Sequence, residues 1–313
     1  MNSTKFSQDI KASALDLGFS AAKIIPFELP QLTYRQFYVK WLKKQKLGRQ
    51  KYLGNIRTRF HGRRILKSVN SLVVLTAPYF SEPNNKFLQT NARNKIARYA
   101  HGRDYHRVLK KKCNQIIREF GLTGRHIVDS APFPERYYAN LAGIGELGKN
   151  GLLINREQGS YLFLAFILVA DYFDTYDTPN KKDFQAQLTN VCGSCDRCIK
   201  ACPTKALKGD GTLELSQCLS TITIEEPAGT VPVLALEKKH RWVFGCDICQ
   251  QVCPYNKESK ETTIDDFNLS EAAKVVMQSV VSLDDSHVDF NGTPLKRAGI
   301  KKINENLARI RSF

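Results

Sequence analysis

The stretch CGSCDRCIKACP, residues 192–203, places Cys192, Cys195, Cys198 and Cys202 at C-x2-C-x2-C-x3-C and follows the last with Pro203. This is the bacterial ferredoxin run, in which three thiolates take corners of one 4Fe-4S cubane and the fourth serves a second cluster. The short loop wraps one cluster, and the chain then turns so that the fourth sulfur points elsewhere. A second site is therefore expected. Downstream, GCDICQQVCP (245–254) carries Cys246, Cys249 and Cys253 as C-x2-C-x3-C-P, without the first cysteine of a full run. Cys218 is the only thiol between the two motifs. The count closes with Cys192, Cys195, Cys198 and Cys253 on one cluster, and Cys202, Cys218, Cys246 and Cys249 on the other. The ninth cysteine, Cys113, falls on the apolar face of a helical pattern, RDYHRVLKKKCNQIIREFG (103–121), where a core thiol is expected. Zinc is the competing reading, because C-x2-C pairs also bind zinc. Four cysteines this close, with proline ending both runs, favour iron–sulfur chemistry and one-electron transfer.

The rest of the chain has the size and composition of a folded protein. Its 313 residues, 42% hydrophobic, suffice for about two domains. No N-terminal segment has the order of a signal peptide, and YLFLAFILVA (161–170) is about half the length of a membrane span, so it reads as a buried strand. A cytoplasmic location without membrane contact is expected, with thiols kept reduced. The net charge of +17 is unevenly spread. Between Glu28 and Glu82 there are twelve Lys and Arg and no acid, interleaved with Tyr34, Phe37, Tyr38, Trp41, Tyr52 and Phe60. A second basic stretch, LKRAGIKKINENLARIR (295–311), closes the chain. Such fields attract polyanions, and the length without any acid favours nucleic acid over a solvated face with core aromatics.

Helical and strand patterns alternate in the first half. STKFSQDIKASALDLG (3–18) repeats apolar positions at helical spacing before a glycine. AAKII, SLVVLTAPY, RHIVD and YLFLAFILVA read as strands. The expected fold is an α/β (α+β) N-terminal domain over 1–180, a ferredoxin-like domain with two 4Fe-4S clusters over 181–260, and a basic helical tail over 261–313 packed on the core. DTYDTPNKKDFQAQLT (174–189), polar and marked by proline, is the expected linker. No G-x-G-x-x-G follows a strand, and GIGELGKNG (143–151) lacks P-loop spacing, so nicotinamide, flavin and nucleotide sites have no support. Asp285-Ser286-His287 opens like a cobalamin-ligating D-x-H-x-x-G, but Phe290 stands at the glycine position.

Taken together, RYAHGRDYHRVL (98–109), VDSAPFPER (128–136), GIGELGKNGLLI (143–154), the two cysteine runs and NGTPLKRAG (291–299) resemble the epoxyqueuosine reductase family, from about residue 50 onward. That family is cobalamin-dependent and related to the reductive dehalogenases. The resemblance implies an N-terminal domain holding cobalamin without a protein histidine under the cobalt, fed with electrons by the ferredoxin-like domain. It implies reduction of epoxyqueuosine to queuosine at the wobble position of a transfer RNA anticodon, the last step of queuosine biosynthesis. A splayed anticodon loop presents such a base far more cheaply than a duplex would. A flavodoxin, ferredoxin or reductase would act as external electron donor, and a monomer is expected.

Removing an epoxide oxygen to leave an alkene takes two electrons and two protons. Asp129 matches the family's proton donor, and donation near neutral pH would need its pKa raised, most simply by desolvation beside the corrin. A turn or N-cap aspartate is the alternative reading before Ser and Pro. The resemblance places Arg59, Tyr105, His106, Arg136, Lys149 and Asn150, together with Asp129, around the cobalamin. The chain departs from the family pattern at His61-Gly62 after Arg59, at Glu146, and at Ala165-Phe166, and each change bears on the pocket. Reduction of a small molecule such as an organohalide, and non-catalytic electron transfer, are the competing functions.

Overall fold

Four strands rich in β-branched and aromatic residues meet in one sheet: β1 (Ala21–Pro26), β2 (Ser71–Pro78), β4 (Gly124–Ile127) and β7 (Leu162–Val169). The computed structural model describes all residues except 1–2, 174, 230–239, 285, 287 and 312–313, so the Asp285-Ser286-His287 reading lies outside the described residues. The sheet order is β1-β2-β7-β4, and every neighbouring pair is antiparallel. The alternating pattern therefore resolves as the α+β form of the expected class. All eight residues of β2 are buried, because helices cover both faces of the sheet. Successive side chains point to opposite faces. Val73, Leu75 and Ala77 thus enter one core layer with Phe163, Ala165 and Ile167, while Leu72 and Val74 enter the other with Phe166 and Leu168.

The first layer is closed by helices α1 (Ser3–Asp16) and α5 (Tyr105–Glu119), which contribute Ile10, Ala14, Leu109, Cys113 and Ile116. Cys113 is fully buried there, as expected, and burial pushes its thiol up to about 12. The second layer is closed by α2 (Leu32–Leu42) and α6 (Glu135–Leu141), the latter preceded in the chain by α3 (Ile56–Phe60) and α4 (Glu82–Thr90). Tyr34, Tyr38, Phe60, Tyr137 and Tyr138 fill this layer. Most aromatics of the acid-free stretch are thus structural, whereas Tyr52 remains 42% exposed. Fully burying an aromatic ring contributes about 1.5–3 kcal/mol, so this packing is reason enough for their presence.

A third core joins distant parts of the chain. The short strand β3 (Lys95–Ile96) pairs in parallel with β8 (Trp242–Phe244), and around them Leu88, Ile96 and Ala100 pack with Val243, Met277, Leu295 and Leu307. The two-residue strands β5 (Glu146–Leu147) and β6 (Leu153–Ile154) form a hairpin around Lys149 and Asn150. Helices α7 (Phe184–Gln187), α8 (Arg197–Ala201) and α9 (Leu219–Ile224) follow, and α8 packs against the helix Ile248–Gln251. Each cysteine run therefore contributes one short helix to this contact. No described helix is long and apolar enough to cross a membrane.

Candidate active site

Beyond the end of β4, the chain turns at Asp129 with a φ of 45°, a left-handed conformation uncommon outside glycine. Asp129 caps no helix, because the N-cap of α6 is Pro134. Its backbone N–H instead donates to Glu135 Oε1 at 2.7 Å, which pins the turn to the start of α6. The strained backbone aims the carboxylate into a cavity of about 880 Å³. There Tyr105 Oη donates to Asp129 Oδ2 at 2.9 Å, and His106 Nε2 stands 3.7 Å from the same oxygen. Tyr105 is held by stacking on Phe163 at 4.2 Å and on His106 at 4.0 Å. His106 is held from its other side by Asp104, the N-cap of α5, whose Oδ1 lies 2.7 Å from Nδ1.

These contacts bear on where protons reside in the protein without cofactor. Burial pushes the Asp129 carboxyl up, but the nearby His106 and the hydrogen bond from Tyr105 outweigh it, so its pKa is lowered. Burial in turn pulls His106 down, but Asp104 and Asp129 raise it to about 9. Asp129 thus accepts from the Tyr105 hydroxyl and stands beside the His106 imidazole. Glu135 is the carboxyl that burial does raise, to about 8, helped by repulsion from Asp129. Sequence reasoning passed over Glu135, although it stands inside the quoted VDSAPFPER, because no spacing rule marks an acid that packing will desolvate.

The same cavity is also lined by Cys218, Cys246 and Cys249. Cys202 completes this set: its charge acts on both Cys218 and Cys246. Cys192, Cys195, Cys198 and Cys253 together wall a separate pocket of about 180 Å³. Four thiols thus line one pocket, and three line the large cavity with Cys202 close enough to act on two of them. Among the described residues, no three His, Cys, Asp or Glu side chains converge as a single-ion site.

The remaining expected site residues divide. Asn150 lines both the large cavity and the thiol pocket, with its Nδ2 buried and unpartnered. Lys149 turns away from the cavity: its N–H donates to Cys192 Sγ at 3.3 Å, and its Nζ donates to the carbonyls of Gly193 and Cys195 at 2.6 and 3.0 Å. Arg59 and Arg136 line a smaller pocket behind Asp129 and Glu135. Arg59 donates to the Phe133 carbonyl at 3.1 Å and lies over the Tyr38 ring, while Arg136 donates to the Gly151 carbonyl. Lys296 and Arg297 of NGTPLKRAG line the large cavity with Tyr52. They were quoted in the motif but given no role, since nothing local in the sequence brings residues near 297 beside residue 129.

The three departures from the family pattern have local explanations. A Cβ at Gly62 would meet the Phe27 ring at 2.8 Å, so glycine permits that close approach. Glu146 pairs with Arg156 at 2.9 Å, outside the cavity. Phe166 packs edge-on against Phe133 at 5.2 Å and so buttresses the Asp129 turn from below.

Comparison with known proteins adds an independent line. Residues 59–130 match the family described as "Epoxyqueuosine reductase QueG", and residues 191–256 match a "4Fe-4S double cluster binding domain". An epoxyqueuosine reductase from Cyclobacterium marinum is 39% identical over 82% of this chain and 81% of its own. One from Leadbetterella byssophila is 33% identical over 98% of both. The same fold occurs in a crystal structure of epoxyqueuosine reductase with an epoxyqueuosine-modified tRNA-Tyr stem loop, at 23% identity, with a TM-score of 0.80 over 99% of this chain and 81% of that one. The enzyme from Streptococcus thermophilus matches with a TM-score of 0.74 and 23% identity, over 97% of this chain and 80% of that one.

Proposed function

The chain belongs to the epoxyqueuosine reductase family, and on that premise we propose that it reduces epoxyqueuosine to queuosine in a transfer RNA anticodon loop. One observation carries the reading: a single cavity is lined both by the Tyr105–Asp129–His106 cluster and by three thiols. In this reading Cys192, Cys195, Cys198 and Cys253 hold one 4Fe-4S cluster, and Cys202, Cys218, Cys246 and Cys249 hold the second. Residues 1–180 then form the cofactor-binding part, 181–260 the electron-carrying part, and 261–313 a helical cover.

Cobalamin fits the cavity on three counts. Its volume of about 880 Å³ is at the large end of ligand sites, about 300–1,000 Å³. The buried Asn150 Nδ2 lacks a partner within the protein. His106, among the described lining residues, is already engaged by carboxylates at both nitrogens and would face a bound cofactor as a proton carrier. When bound, cobalamin supplies a strongly reducing centre that delivers electrons to the substrate.

The protein's own residues handle the protons. As the epoxide opens, its oxygen takes up one proton to become a hydroxyl and a second to leave as water. Asp129 passes protons from His106 to that oxygen, which resupplies a donor near neutral pH although the Asp129 pKa is low. Tyr105 fixes the carboxylate's position, and Glu135 holds the turn. Lys296, Arg297 and the exposed Tyr52 stand on the cavity wall where an anticodon loop would enter, and the acid-free face of α2 offers phosphate contacts. Anaerobic incubation with cobalamin, a reductant and epoxyqueuosine-containing tRNA, read by nucleoside mass spectrometry, should show queuosine. Unchanged epoxyqueuosine in protein loaded with both cofactors would refute the assignment.

A further inference from the structure

The two thiol sets face different surroundings. Cys218, Cys246 and Cys249 open to the substrate cavity, whereas Cys253 floors a shallow depression on the outside of the molecule, about 600 Å³ in volume. Arg197, Lys200 and Lys257 surround this depression, all three exposed, with Val252 and Ala201 between them. Arg197 and Cys253 also line the 180 Å³ thiol pocket, so a single layer of side chains separates that pocket from the surface. No residue of the depression lines the substrate cavity.

We propose that this basic depression is the docking site of an acidic, low-potential electron-carrier protein, which passes single electrons through the Cys253 side into the group held by Cys192, Cys195, Cys198 and Cys253. The proposal rests on the iron–sulfur reading of those thiols. Two features of the surface define the partner. Positive charge around a small partly apolar floor selects a negatively charged protein and speeds its encounter. The thin wall at Cys253 selects a redox partner, because a substrate would gain nothing from reaching this end of the path. Asp196 pairs with Lys200 at 2.9 Å and so lowers the local charge, leaving Arg197 and Lys257 as the stronger attractants. Each docking event oxidises the carrier by one electron and reduces the cluster by one. Two events supply the electron pair that, with two protons, removes the epoxide oxygen as water.

The test uses the full-length protein with its clusters reconstituted and an acidic flavodoxin, reduced to the hydroquinone, as the probe. Cluster bleaching is followed by anaerobic stopped flow in wild type and in K200E/K257E, alongside K200Q/K257Q. The reversal variant should accept electrons at least tenfold more slowly at low salt and the neutral variant should fall between. The wild-type rate should drop as salt is added. Reduction by dithionite, iron content and tRNA affinity should be unchanged in all three. Equal flavodoxin rates in wild type and the reversal variant, a wild-type rate indifferent to salt, or loss of tRNA affinity instead of electron transfer would each overturn the docking site. Wild-type protein that takes up no iron would overturn the cluster reading beneath it, a separable result.

Discussion

Asp129→Asn removes one negative charge 3.7 Å from His106 Nε2 and leaves Asp104 in place on the other nitrogen. At that separation the attraction is about 1 kcal/mol with water-like screening and about 4.5 kcal/mol at an effective dielectric near 20. His106 and Asp129 side chains are 36% and 55% exposed, so the weaker figure applies. At about 1.4 kcal/mol per pKa unit, that predicts a fall of about one unit in the His106 pKa, from about 9 to about 8. The measurement is an NMR titration of the imidazole, assigned with His106→Gln, on protein without added cofactor. Turnover should drop by about two to four orders of magnitude, the usual contribution of a positioned proton donor, while tRNA affinity stays within about twofold. A His106 pKa near 6.5 in the wild type, or one that does not move in Asp129→Asn, would refute the proton network regardless of the effect on turnover.

Other consequences follow from the same coordinates. His106 and Glu135 both have folded-state pKa values above their ordinary ones, about 9 and about 8. The stability they lend is therefore complete below their unfolded values, near 6.5 and 4.5, and is lost as pH rises through 8 to 9. Glu135→Gln should flatten that decline in thermal melts between pH 6 and 9, and a wild-type melting temperature that rises over this range would contradict it. Cys253→Ala and Cys218→Ala should each lower the iron bound after anaerobic reconstitution from about eight per chain, whereas Cys113→Ala should keep all of it. Reversing Lys40 of α2 and Lys43 and Lys44 just after it to Glu should weaken tRNA binding and shallow its salt dependence, with the flavodoxin reaction untouched. Phe166→Ala, which removes the ring beneath Phe133, should cost about 3–5 kcal/mol in denaturant unfolding and loosen the Asp129 turn.

Much of this protein was legible before any coordinates, because the deciding features are local. Ligand spacing in the cysteine runs depends on a few residues of chain, and it was enough to mark the 4Fe-4S binding region. The four strands were likewise marked by their own β-branched and aromatic content, and Cys113 by its helical phase. The acid-free stretch showed its charge plainly, but charge alone did not separate Tyr52, which stays exposed, from Tyr34 and Tyr38, which the sheet buries. Only the tertiary structure decided protonation. A pKa depends on groups within a few ångströms of one another, and here those groups come from α5, from the turn after β4 and from the start of α6. Desolvation was the natural expectation for Asp129, yet His106 and Tyr105 reverse its direction, and no pattern in the chain announces that three such segments converge. The same holds for Lys149, sent to the cysteine loop rather than the cavity by the hairpin of β5 and β6, and for Arg297, brought to Asp129's cavity across more than half the chain. Sequence carries what neighbours along the backbone can specify, and packing carries the electrostatics.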